Sequence, residues 1–204
     1  MRKYKFFINF EKEEKWLHEM AKQGYQLEDK SFGYKFVSAQ PEDTTIKVDY
    51  RIFKKQEDFI DYCTLFEDSG WKHIAGKKSS GSQYFKKVDE NSDDDIFSDN
   101  ISKAGKYRRL SSMFFQMAIS YLPLLVVLIT TDVIKLEAIV NPKLLYLTPG
   151  LWEKAGASFW RAFLFETPFA LLRGIMWAVI PVMMLLYLIY SVKANLLYQK
   201  NKSA

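Results

Sequence analysis

Aromatic and β-branched residues crowd Lys3 to Asn9, then give way to a helically spaced apolar stripe at Trp16, Leu17, Met20 and Ala21. This change of period predicts a short strand followed by an amphipathic helix. Asn9 stands where an N-cap belongs, Glu11, Glu13 and Glu14 occupy the first turn, and Gly24 offers a left-handed stop. Two short strands follow, Tyr25–Asp29 and Gly33–Ser38, around a polar turn at Lys30–Phe32. The same grammar returns further on. A strand is predicted over Thr45–Phe53, and a helix from Gln56 to Ser69 with Phe59, Tyr62, Cys63 and Phe66 inward. Gly70 is its stop, and strands Trp71–Ala75 and Gln83–Val88 flank the turn Gly76–Ser82.

A shift of 46 residues superimposes the two stretches. Tyr4 falls on Tyr50, Lys5 on Arg51, Trp16 on Tyr62, Met20 on Phe66, and Gly24-Tyr25 on Gly70-Trp71. The match then drifts by four residues, which pairs Tyr34 with Tyr84. Chance overlap in an aromatic-rich chain explains less of this order than a duplicated supersecondary unit does. The expectation is an α+β domain over 1–88, built as βαββ twice, with one ferredoxin-like sheet and two helices on one face.

Beyond residue 88 the pattern changes. Residues 89–109 are acidic first, with Asp93, Asp94 and Asp95 in a row, then basic, and predict a solvated linker. Leu110 to Thr131 then runs 22 residues without a charge. As a helix this is about 33 Å long, enough to cross a hydrocarbon core of about 30 Å. A second such helix is predicted over 168–192, its uncharged part being Gly174–Val192, with Arg173 snorkelling or meeting a polar group. The connector 132–167 carries Trp152, Ala155, Phe159, Ala162 and Phe163 at helical spacing, which predicts a short helix in the membrane interface. Pro123 and Pro181 are expected to bend the two spans.

Charge sharpens this division. Of 53 charged residues, 41 lie in positions 1–109. Arg108 and Arg109 precede the first span, and Lys193 opens a basic tail over 193–204 after the second. The positive-inside bias therefore predicts a two-pass membrane protein with both termini cytoplasmic. Residues 1–109 carry a charge of only +1, without the basic excess of a nucleic-acid binder. A single cysteine, Cys63, excludes an internal disulfide and a cysteine-clustered zinc site.

Candidate chemistry is sparse. The chain has no Gly-rich phosphate loop, no HExxH and no GxSxG. No catalytic, cofactor-binding or metal site is predicted. Glu14 and His18 stand four apart on one helix face, which reads as an ion pair. Cys63 reads as a packed core thiol and His73 as a partly inward, hydrogen-bonded histidine. Asp49 and Arg51 share a strand face and are expected to pair with each other. With His73 they form the candidate surface for a ligand or partner.

The order Trp16-Leu17-x-x-Met20-Ala21-x-x-Gly24-Tyr25-x-Leu27, Tyr34-x-Phe36, Asp49-Tyr50-Arg51, Gly70-Trp71, Tyr84-Phe85-Lys86-Lys87 resembles the bacterial domain of unknown function family 2812. The resemblance spans roughly residues 1–88. Tyr25 departs from the tryptophan expected after the first glycine, a place Trp71 fills in the second copy. It implies a bacterial cell-membrane protein with two trailing spans and no enzymatic activity. Members are encountered beside PadR-like repressors, which links them by association to membrane stress or transport. The expected role is a non-enzymatic, membrane-anchored regulatory or adaptor protein, whose cytoplasmic domain binds a protein or small ligand. The alternative is an accessory subunit of a transporter or peptide-resistance system, acting through its spans. The bilayer and a protein are the expected partners, nucleic acid is not, and the spans offer a surface for oligomerisation.

Overall fold

The computed structural model describes residues 1–203 and divides into two units. One comprises Met1–Met113 together with the chain from Tyr190 onward, and the other Phe114–Ile189.

The first unit begins with β1 (Arg2–Lys3), α1 (Phe10–Lys22), β2 (Tyr25–Asp29) and β3 (Tyr34–Ser38). It continues with β4 (Ile46–Tyr50), α2 (Gln56–Asp68), β5 (Trp71–Ala75) and β6 (Ser82–Lys87). Asn9 caps α1 as expected, its side chain accepting from the Glu11 and Lys12 amides at 2.9 and 3.3 Å. Gly24 and Gly70 stop the two helices at φ of 80° and 82°, a region closed to most L-residues. The first strand is far shorter than the expected Lys3–Asn9. Its ladder partner β3 starts at Tyr34, directly after Gly33 at φ 81°, so Lys3↔Tyr34 is the last pair available.

Instead of one sheet, hydrogen bonding closes two antiparallel three-stranded sheets, β1-β3-β2 and β4-β6-β5. Both have the same strand order, and their second strands carry a bulge at corresponding places, Leu27/Asp29 and His73/Ala75. The register corrects one expected pairing. Tyr25 lies opposite Ser38 and Trp71 opposite Lys87, so the third strands correspond at a shift of 49 rather than 50 residues. Tyr34 therefore matches Gln83, and Phe36 matches Phe85. Side chains alternate faces along a strand, so this one-residue difference turns Tyr84 to the side opposite that expected.

That reversal accounts for the layering. Trp16 of α1 meets Phe36 edge-on at 5.6 Å, and Tyr62 of α2 meets Phe85 likewise at 5.7 Å, so each helix covers its own sheet. Tyr84 and Val48, on the other face of β4-β6-β5, meet Glu13 and Glu14 of α1. The two helices thus lie on opposite faces of the second sheet, not on one face of a common sheet. The aromatic core around Tyr62, Phe66, Trp71 and Phe85 is completed by Phe53, Cys63 and Ile96.

Residues 89–109 are not wholly a linker. Helix α3 (Asn100–Ser120) starts well before the charge-free run, and Ala104, Lys106, Tyr107 and Leu110 are buried. Tyr107 packs on Phe10 with ring centres 5.1 Å apart. Further along α3, Ser111 exchanges hydrogen bonds at 2.9–3.1 Å with Ser191 in the last part of α5 (Gly156–Lys202).

In the second unit, α3 ends at Ser120, and a break at Tyr121 precedes α4 (Leu122–Thr130), with Pro123 in its first turn. Three short 3₁₀ turns follow, over Leu136–Ile139, Pro142–Leu145 and Leu151–Glu153. The separate interfacial helix expected near Trp152–Phe163 is absent as such: from Gly156 those residues belong to α5, which runs on through Pro168 and Pro181. Tyr146 stacks on Phe163 and Trp152 meets it edge-on, and Glu166 accepts from the Leu147 amide and the Thr148 hydroxyl at 3.1 and 2.7 Å. These contacts fold the connector onto α5. Asn100–Thr130 and Gly156–Lys202 are long and apolar enough to cross a membrane.

Candidate functional site

The three residues expected to form a ligand surface converge, but on internal contacts. Asp49 sits on β4 facing α2, only 1 % exposed. One carboxylate oxygen accepts from the Tyr62 hydroxyl at 2.7 Å and the other from the Arg109 guanidinium, 60 residues away. Arg109 also donates to the Tyr50 carbonyl. Asp49 therefore pairs with Arg109 and not with Arg51. Arg51 lies just past β4, its guanidinium 5.5 Å from the Tyr62 ring centre. His73 is half-buried, its Nε2 3.1 Å from Gln83 Oε1, and Gln83 in turn donates to the carbonyls of Arg51 and Lys77. Burial pushes the His73 imidazole below its ordinary value, and the Gln83 hydrogen bond only partly offsets this. Tyr62 and Gln83 are thus the hubs that connect the three, and both are used structurally.

A second polar cluster, absent from the sequence reading, lies between α1, the inner face of β4-β6-β5 and α3. Glu13 Oε1 accepts from both Tyr34 and Tyr84 hydroxyls at 2.6 Å. Burial raises its carboxyl above the ordinary range, while the two tyrosine hydrogen bonds and the Lys30 charge work against that shift. On the next residue of α1, about 100° further round the helix, Glu14 Oε1 accepts from the Val48 amide at 3.1 Å and from Lys106 Nζ at 2.8 Å. Lys106 also donates to the Val48 carbonyl at 2.9 Å and has a side-chain exposure of 1 %. A buried ammonium needs this degree of partnering, because desolvating an unpaired charge costs several kcal/mol, on the order of 3–5.

The expected Glu14–His18 pair is not made. Glu14 turns to Lys106, while His18 Nδ1 lies 2.7 Å from the Thr44 carbonyl and Nε2 3.4 Å from Asp43. Cys63 is half-buried, and burial pushes its thiol up to about 11, away from nucleophilic reactivity. Among the described residues, no group of three or more His, Cys, Asp or Glu side chains is gathered to hold a metal.

The remaining motif residues are framework. Leu17, Met20, Tyr50, Trp71, Tyr84 and Phe85 are buried, whereas Trp16 and Tyr25 are half-buried. Of the flanking basic residues, Arg108 and Lys193 are exposed. Arg173 is not exposed: it donates to the Leu145 carbonyl and lies 3.6 Å from Glu166.

The signal that could have revealed the early start of α3, though not the burial of Lys106 itself, is the spacing Ala104, Tyr107, Ser111, Phe114, Ala118, a three-four repeat that crosses the expected domain boundary. The comparison with known families also extends past the expected end of the domain at residue 88, to within one residue of the end of α3. No curated protein and no solved structure matches the chain. A family model described as "Protein of unknown function (DUF2812)" matches residues 9–119, more than half of the chain, so it takes in α1 through nearly all of α3, including Glu14, Asp49, Lys106 and Arg109. The chain belongs to the DUF2812 family.

Proposed function

We propose that the protein is a membrane-anchored regulatory or adaptor protein without enzymatic activity, whose N-terminal domain faces the cytoplasm and binds a protein or small ligand. The observation that carries this reading is the attachment of α3 to the domain. Lys106 and Arg109 hold the start of the first apolar helix to Glu14, Val48, Asp49 and Tyr50. A ligand that shifts β4 or α1 is then felt by the helix that enters the bilayer, whereas a flexible linker would absorb the shift. The use of Glu13, Glu14 and Asp49 in internal bonds supports a scaffold rather than a reaction centre. The basic residues Arg108 and Lys193 beside the apolar stretches support cytoplasmic termini. Matching strand order, bulge and helix-stop positions support descent of the domain from a duplicated βαββ unit, each copy a helix on an antiparallel sheet in the two-layer manner of ferredoxin-like folds.

Affinity capture of the full chain from membranes in mild detergent tests the reading. It predicts recovery of a specific partner that depends on intact residues 1–109. Recovery of none, together with a measurable turnover of any substrate, overturns it.

A second reading, an accessory subunit of a transporter acting through its spans, is favoured by one feature of the second unit. An almost wholly apolar cavity of about 500 Å³ lies between α4, the first 3₁₀ turn and α5, lined by Leu125, Ile129, Gly174, Trp177 and Pro181. Filling it with Ala178→Trp abolishes partner recovery under this reading and leaves it intact under the first.

A further inference from the structure

The soluble domain has two electrically different ends. The start of α1, the end of β4 and the tips of the hairpins gather at one end. Tyr107 reaches Asn9, Phe10 stacks on Tyr50, Arg51 and Phe53 donate to the Gly81 and Lys78 carbonyls, and Tyr4 packs on Phe32. This end carries Arg51, Lys54, Lys55, Lys77 and Lys78, all but the last exposed, and this basic set outnumbers the carboxylates beside it, Asp29, Glu57 and Asp58. Between them stand exposed Tyr4, Phe32 and Ile52 at 66, 72 and 55 %. Among the described residues the four lysines enter no ion pair. The opposite end, where α1, β3 and β6 finish, carries exposed Asp43, Asp89, Glu90 and Asp94, and the lysines there are held in ion pairs, Lys22 with Asp43 and Lys87 with Asp94.

The basic, aromatic end is also the one from which the apolar helices leave. Arg109 is bound to the Tyr50 carbonyl, and the charge-free run opens at Leu110. Phe6 lies 5.3 Å from Tyr190, two residues before the second apolar run closes at Val192. Exposed lysines interspersed with aromatic rings suit the headgroup layer of an anionic bilayer, where cations meet phosphates and rings settle at the hydrocarbon boundary.

We infer that this end of the domain docks on the anionic cytoplasmic leaflet, with the loops 51–55 and 76–81 and the Tyr4–Phe32 pair as its contact surface. The inference rests on the membrane-anchored reading above. Docking fixes the domain against the bilayer through surface charge, so that lipid composition, or a partner competing for the lysines, sets its posture.

The test uses the full chain with Cys63→Ser and Ser79→Cys, an environment-sensitive fluorophore on the new thiol, and reconstitution into vesicles. Phosphatidylcholine vesicles are compared with phosphatidylcholine containing phosphatidylglycerol, each doped with a headgroup spin-labelled lipid as quencher. The expected result is strong quenching only in the anionic vesicles, relieved by high salt. Lys54→Gln, Lys55→Gln, Lys77→Gln and Lys78→Gln together should abolish it, each lysine being worth roughly fivefold at such a surface. Circular dichroism and the melting temperature confirm that these surface variants stay folded. Equal, weak quenching in both lipids overturns the docking inference while leaving the anchor intact. A change in the fluorophore's emission that follows protein concentration rather than anionic lipid assigns the surface to a second copy and also overturns it. Extraction of the chain from the vesicles by alkaline carbonate overturns the anchored reading itself.

Discussion

Lys106 Nζ and Glu14 Oε1 lie 2.8 Å apart across 92 residues of sequence, joining α3 to α1 inside the N-terminal domain. Side-chain exposures of 1 and 11 % leave little solvent to screen the pair. Lys106→Ala should therefore destabilise the full chain by about 3 kcal/mol, the low end for a broken buried pair, since Glu14 keeps the Val48 amide and Lys47 Nζ at 3.8 Å. Pairing Lys106→Met with Glu14→Gln should recover most of this, because the amide still accepts from the Val48 N–H. Chemical denaturation of the three variants in detergent measures both effects.

Glu13 predicts a pH dependence. Its folded carboxyl is raised above the ordinary glutamate value, chiefly by burial, so the folded state holds that proton more tightly than the unfolded one. A group of this kind contributes stability that is fully present below its unfolded value and lost as pH rises through the folded value. Glu13→Gln keeps an oxygen for Tyr34 and Tyr84 and carries no charge to ionise. Its melting temperature relative to the parent should therefore climb as pH moves from mildly acidic to mildly alkaline. A pH-independent difference would contradict the assignment.

His73 works in the opposite direction. Its imidazole is depressed by burial, so its contribution is present above the ordinary histidine value and lost as pH falls through the depressed one. His73→Gln should flatten the acid limb of the stability profile, read by melting in mildly acidic buffers.

The two framework tryptophans should behave unequally. Trp71 is 1 % exposed within the aromatic core, so Trp71→Ala should cost about 3–5 kcal/mol. Trp16 is half-buried, with Lys5 Nζ 4.7 Å above its ring, and Trp16→Ala should cost clearly less. Equilibrium unfolding compares them directly.

The reciprocal Ser111–Ser191 bonds should couple α3 to α5. A double-mutant cycle with Ser111→Ala and Ser191→Ala should return an interaction energy of about 0.5–1.5 kcal/mol. Additive single effects would show that the two hydroxyls act independently.

How far the sequence was legible depends on whether a feature is local. The helix stops at Gly24 and Gly70 and the Asn9 cap rest on neighbouring residues, and all were readable in advance. The equivalence of Tyr34 and Tyr84 was misleading because both are tyrosines and both reach Glu13, though from strands of different sheets. Only the hydrogen-bond register separates Tyr84 from Gln83, and with it the two faces of β6. The Asp49–Arg109 bond was hidden for another reason. Arg51 stands two residues from Asp49 and suffices as a local partner, while Arg109 belongs to a basic run that reads equally well as a membrane flank. Lys106 is the sharpest case, since a lysine in a polar stretch carries no local sign of burial.

Hydrogen–deuterium exchange of the full chain in lipid nanodiscs tests most directly whether α3 belongs to the N-terminal domain. The account predicts that amides of residues 103–109 exchange as slowly as those of β4, and that Glu14→Ala speeds both together. Exchange of residues 103–109 at the rate of an unstructured chain, while β4 stays protected, would contradict it.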